Sequence, residues 1–295
     1  MSVDNSKGGL RGKCQLGHGG HAERNSTFTR QGRDNPMDIG IIGYGRIGAH
    51  LHEKLKATPG VNVCFVYEKI REKTKNLDRS LVIENVDDLS KKRADLVVEC
   101  ADFTAVASLA PLVLNHSNML ILSASAFADD KLEASLRRIS TENDRRIYIP
   151  HGALLGMDGF QDAKSSFSEV TITTTKAPKN LDFTFQTRWK QEEIKTRTVL
   201  HDGNTRECCK LFPRNVNSHA VLALSCLGFD RTRSVLIADP QSTVASHHIV
   251  ATGGGTTTEI MQASQIKGVT GDYTLASVYG TILRILSDKK GVNIV

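Results

Sequence analysis

The feature that most constrains this chain is a glycine-punctuated turn between an apolar run and a helical one. Ile39-Gly40-Ile41-Ile42 is followed at once by Gly43-Tyr44-Gly45-Arg46-Ile47-Gly48, and Ala49 to Ala57 reads as a helix. Alone, G-x-G-x-x-G is weak evidence, because glycines are common in loops. Here it follows a strand, opens a helix, and has an acid, Glu68, twenty residues beyond Gly48 at the end of the apolar run 61–67. Gly43 permits the tight turn, Gly45 lets the backbone approach a pyrophosphate, and Gly48 lets helix and strand pack closely. Arg46 and Ile47, at the helix N-terminus, add backbone N–H groups for the phosphates. Glu68 would accept hydrogen bonds from the adenosine ribose, which favours NAD, while Lys69 and Arg71 keep NADP open. The expected cofactor is therefore NAD or NADP.

The rest of the first half repeats the same grammar. Asp95 to Cys100, Met119 to Ser123 and Arg146 to Ile149 read as strands. Val86 to Lys92, Thr104 to Asn115 and Asp130 to Glu142 read as helices. Strands alternating with helices imply a doubly wound parallel sheet, and the continuous apolar run of Leu96 to Val98 suits a strand covered on both faces. After His151-Gly152-Ala153 the pattern changes. Val170 to Lys176, Leu181 to Trp189, Val235 to Ala238, His247 to Ala251 and Thr256 to Ile266 read as strands, with a helix from Asn217 to Leu227. Successive strands of this kind predict an antiparallel sheet in an α+β unit. Tyr273 to Leu286 has helical spacing. The expected fold is α/β, a Rossmann doubly wound domain (37–150) plus an α+β catalytic domain (151–272). A C-terminal helical segment (273–295) would pack back on the first domain.

Residues 1–36 differ: Gly, Ser, Asn and Arg dominate, and no apolar signal-peptide core is present. The expectation is a disordered extension, with a transit peptide as the open alternative. The 295 residues, 39% apolar and 24% charged, suffice for two domains. The net charge of +6 is spread along the chain with acids interleaved, and only 5% of residues are aromatic, which argues against nucleic acid as a partner. None of the six cysteines forms a C-x-x-C pair, so neither a zinc site nor a secreted disulfide scaffold is expected. No apolar stretch reaches the roughly 18–20 residues of a membrane span, and the cytosol is the default compartment.

The second half narrows the chemistry. Asp202-Gly203 to Glu207-Cys208-Cys209, with Phe212-Pro213-Arg214-Asn215-Val216-Asn217, resembles the (D/E)GxxxEAxxxFPxNxN region of the aspartate dehydrogenases. Ser123 to Asp129 and Gly152 to Asp158 are similar to further segments of that family, and Leu227 to Asp230 with Val235 to Asp239 to its animal members. The likeness spans about Met37 to Leu286. It implies a nicotinamide-dependent oxidoreductase acting on the amino group of L-aspartate, through iminoaspartate to oxaloacetate and ammonia. The partner would be that small molecule (L-aspartate or iminoaspartate), and the assembly a homo-oligomer.

The resemblance also implies roles. The family's catalytic histidine falls thirty residues after Asn217, at His247, though a one-residue shift would give His248. Strand neighbours point to opposite faces, so only one of the pair can serve. Asn217 and the backbone of Gly159 match cofactor-contacting positions. Independently of the family, removing an ammonium proton near neutral pH suits histidine, and two substrate carboxylates need cations, for which Lys176 and Arg214 are the candidates. Two rivals stand beside this reading. One is another two-domain dehydrogenase or reductase of a small acid, against which the absence of an EKP-type lysine signature counts. The other is a catalytically silent NAD(P)-binding sensor.

Overall fold

The computed structural model describes residues 36–267 and 270–287. The extension assigned to residues 1–36 lies, up to residue 35, outside the described residues. The first domain runs β1 (Met37–Ile42), α1 (Arg46–Lys56), β2 (Val61–Tyr67), β3 (Val82–Ile83), β4 (Leu96–Glu99), α2 (Phe103–Val113), β5 (Asn118–Ile121), α3 (Asp130–Glu142) and β6 (Ile147–Tyr148). Its six strands lie in the order β3-β2-β1-β4-β5-β6, all parallel. From β1 the chain winds first to one side, into β2, and later to the other, into β4. The crevice where the strand order reverses therefore opens between the carboxyl ends of β1 and β4, the place where such sheets bind ligands. Every residue of β4 is buried, as a strand covered on both faces requires.

The second domain runs α4 (Met157–Asp162), β7 (Glu169–Lys176), β8 (Thr198–Asn204), α5 (Thr205–Leu211), α6 (Asn217–Ser225), β9 (Thr232–Ala238), β10 (Ala245–Gly253) and β11 (Thr256–Ser264). Its sheet has the order β11-β10-β7-β9-β8. Val170, Ile172, Thr174 and Lys176 alternate onto the buried face of β7, opposite Ala245, His247, Ile249 and Ala251 of β10. The last described helix, α7 (Asp272–Leu286), lies on α1. Val278 and Ile282 are fully buried among Ile39, Ile41, Leu51 and Leu55, each side chain contributing on the order of 1.5–3 kcal/mol.

Three expectations need correction. The second sheet is mixed: β7 and β9 pair in parallel, because the connection between them contains the reversed edge strand β8 together with α5 and α6. Leu181 to Trp189 forms no strand. Asn215 takes both the N–H and the C=O of Asp182, the groups a strand would offer a neighbour. Val86 to Lys91 is a 3-10 turn capped by Asn85, not an α-helix.

Candidate active site

A cleft of about 420 Å³ lies between the two domains. Gly45, Arg46 and Ile47 form one wall; Lys176, Asn217 and His247 line the facing one. The glycine turn is shaped for an anion. Gly43 has φ +92°, and a Cβ there would stand 2.7 Å from the Ala101 nitrogen. A Cβ on Gly48 would stand 2.0 Å from the Gly43 carbonyl oxygen, whereas Gly45 faces open space. Helix α1 begins with no side-chain cap and no acid in its first turn, while α2 and α3 are capped by Asp102 and Asp129. A helix start with neither a side-chain cap nor an acid suits a phosphate. Glu68, nearly buried, accepts from the Tyr44 and Ile70 N–H groups, and Lys73 approaches it at 3.6 Å. A carboxylate has about four acceptor sites, so this one can hold the turn and still receive a ribose hydroxyl. These residues fit a dinucleotide.

Beneath the crevice sits a group the sequence reading did not single out. Glu99 is fully buried and accepts from the Ala101 N–H and from the N–H and O–H of Ser123, tying together the ends of β4 and β5. Burial raises its carboxyl to about 7, against the lowering effect of those hydrogen bonds.

On the facing wall, His247 and Lys176 are both buried and share the inner face of the sheet. Burial, then the charge of Lys176, pushes the His247 imidazole down to about 3, so it is neutral at physiological pH. Burial lowers the Lys176 ammonium to about 8. Its one hydrogen bond among the described residues is to the Asn215 carbonyl at 3.4 Å. A buried cation without an anion is costly, and a substrate carboxylate would complete it. His248 points to the other face and pairs with Glu259 on β11. Strand alternation thus places His247, and not its neighbour, on the cleft. His151, on the segment joining the domains, reaches the cleft as well.

Two candidates sit differently from expectation. Gly159 lies within α4 and does not line the cleft; its N–H donates to Asp158 Oδ1. Arg214 does reach the cleft, but its guanidinium holds Asp182 at 3.1 Å and Asp102 at 3.2 Å and stacks over Phe185. It braces one domain against the other, so a substrate carboxylate would have to compete with two acids already in place. Asn217, the first residue of α6, accepts from the Ser125 N–H and so ties the same two domains together. The helix-start pattern Asn204-x-x-Glu207, whose Asn204 accepts from the Glu207 N–H, was a local signal for α5.

Residues 158–285 match the family model described as aspartate dehydrogenase, C-terminal. Residues 43–150 match the one described as homoserine dehydrogenase, NAD binding domain. L-aspartate dehydrogenase of Methanococcoides burtonii is 35% identical over 230 residues, covering 74% of this chain and 84% of that one. The aspartate dehydrogenase domain-containing protein of Xenopus tropicalis is 34% identical over 268 residues, 84% of this chain and 94% of that one. The chain belongs to the aspartate dehydrogenase family. A crystal structure of aspartate dehydrogenase from Thermotoga maritima superposes with a TM-score of 0.66 at 26% identity, over 87% of this chain and 99% of that one. The likeness to scyllo-inositol dehydrogenase of Lactobacillus casei, at 10% identity and a TM-score of 0.56, shows the shared fold alone.

For this member of the aspartate dehydrogenase family, the turn makes a direct prediction. In Gly48→Ala the added methyl meets the Gly43 carbonyl, a backbone atom that cannot swing aside. The strain should cost about 1–3 kcal/mol. It should also weaken NADH binding at least tenfold, measured by quenching of protein fluorescence. Unchanged binding would mean that the turn does not hold the dinucleotide.

Among the described residues, no group of three or more His, Cys, Asp or Glu side chains could hold a metal, and no helix is long and apolar enough to cross a membrane.

Proposed function

We propose that the chain oxidises L-aspartate to iminoaspartate with NAD or NADP, water then releasing oxaloacetate and ammonia. The observation that carries this reading is that His247 and Lys176, buried with no anionic partner among the described residues, line one cleft with the glycine turn. Bound nicotinamide supplies the hydride acceptor. Lys176 holds a substrate carboxylate and, in doing so, loses the bare charge that depresses His247. With Nδ1 tied to Thr174 at 2.7 Å, His247 has Nε2 free to take the ammonium proton. The two walls of the cleft bring amine, base and cofactor into one small volume, which replaces an encounter of three bodies with a single bound geometry.

Reduced nicotinamide absorbance on mixing the protein with L-aspartate and either NAD or NADP tests the reading; no turnover with either cofactor overturns it. Glu68 supports a preference for NAD, so Glu68→Ser should move selectivity toward NADP by about 1–2 kcal/mol.

A pH effect follows from Lys176. Succinate, a dicarboxylate without the amine, should compete with aspartate while Lys176 is charged. Its inhibition constant should rise about tenfold per pH unit above about 8, where the ammonium loses its proton. A constant that stays flat to about pH 10 would remove Lys176 from the carboxylate site.

A further inference from the structure

The hydroxyl of Thr174 stands 2.7 Å from His247 Nδ1 and 2.7 Å from His219 Nε2, so one oxygen bridges two imidazoles. Thr174 and His219 are fully buried. The three residues come from β7, α6 and β10, so the bridge exists only in the folded domain. Burial holds His219 neutral, with His247, Lys176 and then His201 adding to the effect, and His247 is neutral as well. Each neutral ring carries one N–H. A hydroxyl has one proton: it donates to one ring nitrogen and accepts from the other.

Only two arrangements satisfy that rule. In the first, Thr174 donates to His247, whose own hydrogen then sits on Nε2; this ring cannot accept a proton there. In the second, His247 donates from Nδ1 to Thr174, and Thr174 donates to His219 Nε2. His247 Nε2 is then bare. His219 must carry its hydrogen on Nδ1, the atom that has no hydrogen-bond partner among the described residues. That atom is unpaired in both arrangements, a bare nitrogen in the first and an N–H in the second; what separates them is that only the second leaves His247 Nε2 able to take a proton.

We propose that Thr174 and His219 are positioning residues for His247: His219 draws the hydroxyl proton of Thr174 to itself, and the hydroxyl in turn holds the Nδ1–H form of His247 with Nε2 bare toward the substrate. The inference rests on the acid–base role given to His247 above. His219 serves as the terminal acceptor of the chain, the orienting part that a carboxylate plays in other histidine-based sites. A neutral acceptor suits a pocket that already holds the Lys176 charge and a substrate carboxylate.

His219→Leu tests it, because leucine removes the acceptor and the unpaired atom together. The Thr174 proton then turns to His247 Nδ1 and leaves hydrogen on Nε2. Aspartate oxidation should slow about 30- to 1,000-fold in kcat. The NADH dissociation constant and the thermal midpoint should stay near those of the parent, since no paired polar group of His219 other than the relay contact is lost. His219→Gln, whose side-chain carbonyl can accept from Thr174, should recover most of the rate. Thr174→Val should fall as His219→Leu does, and Thr174→Ser should recover. In a His247→Ala background, His219→Leu should cost nothing further, because the two act as a unit. Turnover of His219→Leu within about threefold of the parent overturns the proposal, as does an equal loss with and without His247. If His247→Ala itself turns over like the parent, the acid–base reading fails and the relay with it. An inert His247→Ala beside an unimpaired His219→Leu removes the relay alone.

Discussion

Replacing His247 with alanine is expected to lower kcat for aspartate oxidation by about 10²–10⁴, the usual worth of a positioned acid–base group. NADH should bind as before, because the residues proposed to hold the dinucleotide, the Gly43–Gly48 turn and Glu68, belong to the other domain. The control is the adjacent residue. His248 lies on the other face of β10, partly exposed and paired with Glu259. Its loss should cost about 1 kcal/mol of stability at most and little rate. Measuring kcat and the NADH dissociation constant for both variants separates the cases. A dead His248→Ala beside an active His247→Ala would reverse the assignment.

Lys176→Met should push function and stability in opposite directions. Lysine at this position is buried with no anion beside it among the described residues, and its pKa falls from 10.5 to about 8. A lysine whose pKa is depressed by folding destabilises the native state wherever it is protonated. The penalty is complete below about pH 8 and fades as pH rises toward the unfolded value near 10.5. Methionine removes it, so thermal stability at neutral pH should rise, by an amount on the order of 3 kcal/mol. The same change deprives a substrate carboxylate of its buried partner, typically worth about 2–5 kcal/mol. The expected result is a fall of about 10²–10³ in kcat/KM for aspartate, in a protein that melts later than its parent. Loss of rate together with loss of stability would instead mark Lys176 as structural.

The parts of this fold visible in the sequence are those fixed by neighbours along the chain. The β1–turn–α1 unit is one: Gly43, Gly45, Gly48 and Glu68 lie within twenty-six residues and obey local backbone rules. The opposite orientation of His247 and His248 is another, since alternation along a strand is local. Which of the two faces the cleft is decided by β7, seventy-odd residues away. Leu181 to Trp189 misleads for a similar reason. Its β-favouring residues are real, but Asn215 captures Asp182, Phe183 packs on Phe212, and Phe185 crosses to Phe103 in the first domain. The edge strand β8, with His201, Asp202 and Gly203, carries too little apolar pattern to announce itself. Arg214 looks like a free cation in sequence because its partners, Asp102 and Asp182, sit 112 and 32 positions away. His219 carries no signal of its own at the start of α6, and only the fold brings Thr174 to it.

The return of α7 to the first domain has a consequence for how the protein is made. Synthesis delivers β1 through β6 first, yet the face of β1 and α1 that Val278 and Ile282 cover stays open until α7 leaves the ribosome. Thr58, just past α1, likewise waits for the Tyr279 hydroxyl, and Arg46, on the cofactor turn, for Asp272. At about 5–20 residues per second, that interval is on the order of ten seconds. Through that interval the nascent first domain carries an apolar stripe that only α7 goes on to cover.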